Sequence, residues 1–262
     1  MARGIDHVVV GVDDLDAAAA AWTSAGFTVC PRGIHPWGTH NRIIQFRDRS
    51  FIELITVGEP ERIVGHGAGF SFGAFVRDRL RVGEGASMLV LRSDDADADL
   101  ADWASKGLEV YARFDFAREA VRPDGTRRPV GFHLAFTRDP LSPYAGFFTC
   151  RQTHPENFWN PDVQVHDNGA VGIAEVDLVA GDPADHHVFL QAFAGVRDVT
   201  MTSARLTLSV PGATIAVHSP DAARMMLGVE PPANDGLSIV ALAFTGARLT
   251  PRTLRGLALR SA

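Results

Sequence analysis

Apolar and polar positions repeat along this chain in the same order. Residues 4–29 read GIDHVVVGVDDLDAAAAAWTSAGFTV, and residues 85–110 read GASMLVLRSDDADADLADWASKGLEV. Each stretch has an aliphatic run, an Asp-Asp pair, an alanine-containing segment with one tryptophan, and a glycine. A repeat this long indicates that one supersecondary unit was duplicated and that the copies cover each other's apolar faces.

Each copy predicts a β-α-β-β-β unit. In the first copy, the β-branched run Val8–Val12 predicts a strand. Asp13 and Asp14 offer N-cap chemistry for a helix over Leu15–Ser24, and Gly26 suits the left-handed position after its end. Three short strands are expected next, at Phe27–Cys30, Asn41–Phe46 and Phe51–Val57. The second copy predicts the same order: Met88–Leu91, the helix Ala96–Ser105, Leu108–Arg113, Gly131–Phe136 and Phe147–Gln152.

The rest of the chain holds a weaker third copy. It begins at Gly172, and its closing strands are expected at Arg205–Val210 and Thr214–His218. A fourth start predicts a strand at Leu237–Phe244 and a helix at Pro251–Leu259. The predicted organisation is therefore module A over 1–60, a helical or lid-like excursion over 61–84, module B over 85–166, and a degenerate third module over 167–262 with a terminal strand-helix remnant.

Composition narrows the class of protein. The 262 residues can bury a sizeable core, and the net charge of −6 gives no footprint for nucleic acid. No apolar run approaches the roughly 20 residues that cross a bilayer, and no secretory leader opens the sequence. Two isolated cysteines indicate a reducing cytoplasm. Motifs for nucleotide or nicotinamide binding are absent. We expect a cytoplasmic protein with a small-molecule ligand.

Several short motifs resemble one superfamily. They are GIDHVV at residues 4–9, HPWGTHN at residues 35–41 and FIEL at residues 51–54, with Arg118 and the turn RPDG at residues 122–125 further along. Together with the duplication, they are similar to the vicinal oxygen chelate superfamily, and most of all to its glyoxalase-like branch, over about residues 4–173. The resemblance implies an α+β fold in which paired βαβββ modules form a curved, cup-like mixed sheet with helices outside. It also implies that ligands bind inside the cup and that first and fourth strands supply ligands to a divalent metal.

His7 and Glu53 are the first metal-ligand candidates. Both lie among apolar neighbours on predicted strands, and a buried imidazole or carboxylate needs a partner. A divalent Fe, Mn, Ni or Zn ion would satisfy both, and a His–Glu hydrogen bond in a metal-free cup is the alternative. In the second copy, Met88 replaces His7, and Thr149 or Arg151 is expected in place of Glu53. Gln152 is then the candidate third ligand.

Other polar residues are candidates for substrate binding. His35, His40 and Asn41 flank a Gly-Thr turn: Asn41 could anchor a substrate carbonyl and His40 could act as acid or base. The same residues also suit a purely structural turn. Arg118 could clamp a carboxylate or pair with a neighbouring acid, and His133 is either a cup residue or a hydrogen-bonded core histidine. Glu175 and His218 form a weaker candidate pair in the third copy.

The leading functional hypothesis is a metal-assisted lyase, isomerase or dioxygenase-type enzyme acting on a small, oxygenated, acidic molecule. Under it, His7 and Glu53 hold the cation, Glu53 or His40 moves a proton, and Arg118 orients the substrate. The rival is a metal-free protein that sequesters a small molecule, as the bleomycin-resistance proteins do. A fold used for oligomerisation is the third possibility, and a homodimer is compatible with all three.

Overall fold

The structure, a computed structural model, describes residues 1–65, 67, 69–121 and 125–262. Part of the predicted excursion, at residues 66 and 68, and Arg122–Asp124 of the predicted turn lie outside the described residues. The described part contains two mixed β-sheets with helices packed on them. The predicted α+β architecture is confirmed.

The first sheet contains both predicted modules. Its nine strands are β1 (Ile5–Gly11), β2 (Gly33–Ile34), β3 (Thr39–Gln45), β4 (Phe51–Val57), β5 (Gly85–Arg92), β6 (Glu109–Val110), β7 (Phe114–Val121), β8 (Arg127–Arg138) and β9 (Gly146–Gln152). They lie in the order β2-β3-β4-β1-β5-β9-β8-β6, with β7 paired to β8. Within each module the first strand is parallel to the last, and the antiparallel pair β1–β5 joins the modules. The duplicated units thus form one continuous sheet.

The second sheet repeats this arrangement. Its seven strands are β10 (Gly172–Val179), β11 (Val199–Met201), β12 (Arg205–Val210), β13 (Ala213–His218), β14 (Ser238–Thr245), β15 (Arg252–Leu254) and β16 (Leu257–Ser261). β10 is parallel to β13, β14 is parallel to β16, and β10 and β14 pair antiparallel. The third unit therefore keeps the full strand pattern, and an abbreviated fourth unit completes the sheet.

Six α-helices accompany the sheets in the described residues: α1 (Leu15–Ser24), α2 (Phe72–Leu80), α3 (Ala96–Ser105), α4 (Pro155–Phe158), α5 (His187–Ala194) and α6 (Pro220–Leu227). Helices α1 and α3 have the predicted bounds. The Asp14 side chain accepts hydrogen bonds from two backbone N–H groups of α1, and Asp95 does the same for α3. Gly26 has the predicted positive φ of 84°. None of these helices combines the length and the apolar character that a bilayer crossing requires.

Two local predictions are wrong. Phe27–Cys30 is not a strand, and β2 forms further along the chain. Pro251–Leu259 is not a helix: it forms β15 and most of β16. Between these strands Arg255 and Gly256 have φ angles of 49° and 74°, which is the backbone of a two-residue hairpin turn. The hairpin supplies β14 with a parallel neighbour, and this pairing outweighs local helix propensity.

The two faces of the first sheet have different neighbours. Val8 and Val10 on β1 belong to a large apolar core that also includes Trp22 of α1 and Phe244 of the second sheet. Since side chains alternate along a strand, Val9 faces the other way. There it joins a smaller, phenylalanine-rich core covered by α2. This second face is the concave side of the predicted cup.

Candidate functional site

A small cavity of about 40 Å³ lies on the concave face of the first sheet. Its wall is mainly aromatic. The described residues that line it are His7, His35, Trp37, Asn41, Ile43, Phe51, Glu53, Phe72, Phe116, Arg118, Phe132, Leu134, Phe148, Cys150 and Phe158. The ionisable and amide side chains in this wall are therefore surrounded by apolar groups, where electrostatic interactions are strong.

The register of β1 and β4 brings His7 and Glu53 together. The two strands are parallel, with Val9 opposite Glu53, so both side chains face the cavity. His7 Nε2 lies 3.9 Å from Glu53 Oε2, and the His7 ring stacks on Phe51 at 4.1 Å between centroids. The predicted pair is thus adjacent and buried.

Asp6 fixes the orientation of His7. Its Oδ1 lies 2.6 Å from His7 Nδ1. A carboxylate oxygen accepts a hydrogen bond, so Nδ1 carries the proton and Nε2 is left facing Glu53. The register of β1 shifts between Ile5 and His7, and such a bulge re-aims side chains.

Glu53 is held on its other side by Asn41. The Asn41 Nδ2 donates to Glu53 Oε1 at 2.6 Å, and both side chains are buried. Burial raises the pKa of Glu53 above its usual value, although His7, the Asn41 hydrogen bond and Arg118 act in the opposite direction. A carboxyl group with a raised pKa is suited to exchanging a proton near neutral pH.

His35 approaches the same carboxylate from the turn before β3. Its Nε2 lies 3.7 Å from Glu53 Oε1, and its Nδ1 lies 2.8 Å from Thr39 Oγ1. The ring stacks on Trp37 at 4.5 Å. Burial, helped by the charges of Arg118 and His40, lowers the pKa of His35 to about 3. His35 is therefore a neutral imidazole at physiological pH.

Arg118 provides a cation that has no hydrogen-bonded acid among the described residues. Its side chain lines the cavity from β7, and its Nε is buried with no hydrogen-bond partner in the described part of the chain. Burial lowers the pKa of this guanidinium, while the charge of Glu53 raises it. The alternative, pairing with a neighbouring acid, is not seen among the described residues: Glu119 pairs with Arg127, and Asp115 pairs with Arg113. A guanidinium that has no hydrogen-bonded acid among the described residues and lies beside an apolar cavity is suited to binding an anion.

Comparison with known proteins identifies the fold. The family model described as "Glyoxalase-like domain" matches residues 5–193. The chain belongs to this family. The predicted relationship to the vicinal oxygen chelate superfamily is confirmed. No protein of curated function matches the sequence.

Solved structures show the same fold as this glyoxalase-like protein. A hypothetical protein from Staphylococcus aureus superposes with a TM-score of 0.75 at 14% identity, covering 99% of this chain and 98% of that one. A mutant of 4-hydroxymandelate synthase from Streptomyces coelicolor gives 0.53 at 11% identity, covering 94% and 72%. A xylose isomerase-like TIM barrel/4-hydroxyphenylpyruvate dioxygenase fusion protein gives 0.52 at 15%, covering 94% and 37%. At these identities the likeness extends to the fold alone.

The donor types in the cavity fit a divalent cation. His7 Nε2, neutral His35 and the Glu53 carboxylate are nitrogen and oxygen ligands of the kind that Fe, Mn, Ni and Zn accept. The Asp6–His7 hydrogen bond is the arrangement that orients metal-binding histidines, and Asn41 Oδ1 is buried without a partner among the described residues. The ligand atoms of His7, His35 and Glu53 do not gather within 4.8 Å of one another. Binding an ion would therefore draw these side chains closer.

Three predicted site residues lie elsewhere. His40 points away from the cavity, and its Nε2 is 3.7 Å from Glu59 Oε1. His133 lies on the opposite face of β8 from the cavity residue Phe132, where its Nδ1 is 2.7 Å from Asp115 Oδ1. Gln152 lies at the end of β9 and does not line the described cavity wall. The roles expected of them as acid–base group, substrate contact and metal ligand have no support in this geometry.

The second module contributes no equivalent of the His–Glu pair. β5 and β9 pair with Val90 opposite Phe148, as Val9 lies opposite Glu53 in the first module. Phe148 is thus the counterpart of Glu53, and the expected counterparts Thr149 and Arg151 are wrong by one and three positions. The polar half of the site comes from module A, with Arg118 added by β7.

The second sheet contains a separate charged cluster. Glu175, Asp177 and His218 form the one group of three or more possible metal ligands within 4.8 Å of one another in the described residues. His218 Nε2 lies 2.8 Å from Asp177 Oδ1, and Arg260 Nη2 donates to Asp177 Oδ2 at 2.8 Å. Arg205 pairs with Glu175. The two guanidinium groups balance the charge of the two carboxylates, while His218 Nδ1 and the Nε atoms of Arg205 and Arg260 are buried without a hydrogen-bond partner among the described residues.

Several residues of the site were not predicted from the sequence. Asp6 is next to His7 in the sequence, and that adjacency was an available signal. Phe116 and Phe158 line the cavity from β7 and α4, and Trp37 covers His35. Aromatic residues are common in cores, so their position in a binding wall emerges only from the folded arrangement.

Proposed function

We propose that this protein is a metal-assisted lyase or isomerase that moves a proton on a small, oxygenated carboxylic acid. One observation carries the proposal: the buried Glu53 faces Arg118, which has no hydrogen-bonded acid in the described residues, across an aromatic cavity. A buried acid–base group beside an anion-binding group is typical of a site for acidic substrates. The raised pKa of Glu53 favours proton transfer over the dioxygenase alternative.

Each polar residue then has a defined task. Arg118 binds the substrate carboxylate. Glu53 accepts a proton from the carbon beside the substrate carboxylate and returns it. Asn41 donates a hydrogen bond to Glu53 Oε1 and so keeps the Glu53 side chain in position. His7 is kept in one tautomer by Asp6. The aromatic wall excludes water, which strengthens these interactions.

His7, His35 and Glu53 are the residues that would hold a cation. When bound, a divalent ion would stabilise negative charge that develops on a substrate oxygen. The neutral state of His35 supports this role, because a protonated imidazole does not ligate metals.

The alternative function is metal-free binding of a small acid. One observation favours it: Met88 and Phe148 occupy the second-module positions that correspond to His7 and Glu53. Apart from Trp37, Asn41, Arg118 and Cys150, the polar side chains that line the cavity in the described residues are those of His7, His35 and Glu53, all from module A.

Metal analysis and hydrogen exchange together test the proposal. Protein purified without chelator is expected to contain near-stoichiometric Fe, Mn, Ni or Zn, measured by mass spectrometry. That metal is expected to be lost in His7→Ala and Glu53→Ala and kept in His133→Ala, the matched histidine control outside the cavity. In D₂O, the protein is expected to exchange the hydrogen on the carbon beside the carboxylate of a 2-hydroxy acid, detected by NMR.

The result also separates the two functions. Metal-free protein that binds acids through Arg118 and exchanges no hydrogen would identify the binding function. Protein that binds neither metal nor acid would remove both.

A further inference from the structure

Arg118 stands between two hollows. The inner cavity of about 40 Å³ holds Glu53 and His7. An outer cleft of about 290 Å³ adjoins it. The two share four walls, which are Asn41, Ile43, Arg118 and Phe158. A ligand whose carboxylate rests on Arg118 is therefore in contact with both spaces.

The inner cavity is the narrower of the two spaces, at about 40 Å³ against about 290 Å³ for the outer cleft. Bulky aromatic side chains restrict it. The inner cavity is therefore suited to the carboxylate-bearing end of a ligand, and the outer cleft to the rest of the molecule. An oxygen that Glu53 or His7 serves is then expected close to the carboxylate.

The outer cleft is suited to an apolar chain. Pro31, Ile34 and Val163 line it together with the shared Ile43 and Phe158. The Cys30 thiol also lines it, and burial raises the pKa of this thiol to about 12, so it is uncharged.

Apart from the shared Asn41 and Arg118, the polar side chains of the cleft have partners among the described residues. Gln45 donates to the Phe158 carbonyl and accepts from the Asn160 N–H. Arg32 pairs with Asp16. In the described lining of the cleft, Arg118 is therefore the one cation without a hydrogen-bonded acid, so a second acidic group on the ligand would have no cation to bind.

We infer that the substrate is a monocarboxylic acid with an oxygen on the carbon next to the carboxylate and an apolar chain of several carbons. The carboxylate binds Arg118, the oxygenated carbon enters the inner cavity, and the chain passes Ile43 and Phe158 into the outer cleft. This inference rests on the proposed function, because it extends the same site.

A chain-length series tests it. The probes are lactate, 2-hydroxyhexanoate and 2-hydroxyoctanoate, titrated into the protein as purified and followed by calorimetry. Each methylene that leaves water strengthens binding, so the six- and eight-carbon acids are expected to bind at least about tenfold more tightly than lactate. All three are expected to lose binding in Arg118→Gln.

Filling the cleft separates the chain from the head. Val163→Trp and Ile34→Trp each place a bulky side chain in the outer cleft, away from Glu53. Each is expected to weaken the long acids about tenfold and leave lactate within twofold of wild type. Val165→Trp, at an exposed position outside the cleft, is the matched control and is expected to change neither.

The outcomes are distinct. Affinity that depends on Arg118 but not on chain length overturns the inference and leaves the proposed function standing. Cleft variants that weaken lactate and the long acids equally also overturn it. Absence of binding by all three acids overturns the inference and the proposed function together.

Discussion

At the scale of single residues, the buried charge of Glu53 destabilises the folded protein. Its carboxylate is surrounded by apolar side chains, and burial is the main cause of its raised pKa. Asn41 and His7 offset part of that penalty without removing it. A group kept in an unfavourable environment by the surrounding fold is common in binding and catalytic sites. Removing the charge of Glu53 is therefore expected to raise the stability of the fold and to impair function.

Replacing Glu53 by Gln is expected to stabilise the fold by about 1 kcal/mol at neutral pH. The amide keeps an oxygen for the Asn41 donor and removes the buried charge. Because the folded pKa is raised, the penalty is full above that raised value and disappears as the pH falls toward 4.5. The gain should therefore be larger at pH 8 than at pH 5 in urea unfolding. Glu61→Gln, at an exposed position, is the control. Lower stability of Glu53→Gln at pH 8 would contradict the account.

Replacing His35 by Asn is expected to change how stability depends on pH. The pKa of His35 is about 3 in the fold and 6.5 in its usual state, with burial as the main cause. Between these values the unfolded chain takes up a proton that the folded protein does not. The contribution of His35 to the free energy of unfolding of the wild type should therefore fall by up to about 1.4 kcal/mol per pH unit as the pH drops below 6.5.

Urea unfolding at pH 4.5, 5.5 and 7 checks this expectation. The stability advantage of wild type over His35→Asn should be largest at pH 7 and should shrink at lower pH. His154→Asn, on the surface, should run parallel to wild type. Parallel curves for His35→Asn would show that this imidazole titrates normally.

At the scale of elements, the short strand β2 determines how closely the site can pack. Gly33 pairs with Asn41 across β2 and β3. A Cβ on Gly33 would overlap Asn41 Oδ1 and would lie 3.4 Å from Arg118 Nη2. The amide that holds Glu53 and the cation that faces it thus occupy the space that a side chain would take. Glycine is required here for close approach, without any need for a positive φ.

Gly33→Ala is expected to weaken binding of lactate at least about tenfold, because the methyl group displaces Asn41 and disturbs Glu53 and Arg118. Calorimetry measures the loss. Gly65→Ala, where a Cβ meets nothing within 4 Å, is the matched control. Unchanged affinity in Gly33→Ala would mean that Asn41 does not position the site.

The elements differ in how well the sequence predicts them. α1 and α3 were predicted at their bounds, because cap residues and helix formers are local signals. β4 was predicted as closely. The segment at Pro251–Leu259 was predicted wrongly, because its conformation depends on pairing with β14. Local chemistry decides caps and turns, whereas strand pairing is decided by distant partners.

At the scale of the whole molecule, the two sheets share one core. The ring centroids of Phe27, in the first module, and Phe244, on β14, are 5.2 Å apart. Those of Trp103, on α3, and Phe193, on α5, are 5.6 Å apart. The N-terminus is tied to the second half as well, since Arg3 donates to the Phe193 carbonyl. The first sheet therefore has the cavity on one face, and its other face packs against the second sheet.

A chain ending at residue 171 is therefore expected not to fold stably. Removal of the second sheet would expose the apolar face that holds Trp103 and Phe27 to water. The fragment should bind a hydrophobic dye and lack a cooperative thermal transition, while the full chain should unfold in one step. A fragment that melts cooperatively near the full-length temperature would show that the halves are independent.

The sequence by itself determined the repeat and the main helices, and its resemblance to a superfamily implied that His7 and Glu53 share one site. The alternation of side chains in a strand, the helix caps and the internal repeat are all patterns of residues along the chain itself. The tertiary structure decided which other groups reach that pair. His35 reaches the pair from a turn of the same module, and Arg118 reaches it from a strand of the other module. His40 faces away from the cavity, because neighbouring residues along a strand point to opposite faces of the sheet. The composition of the site depends on strand register and on the approach of distant segments, and neither is encoded in the spacing of residues along the chain.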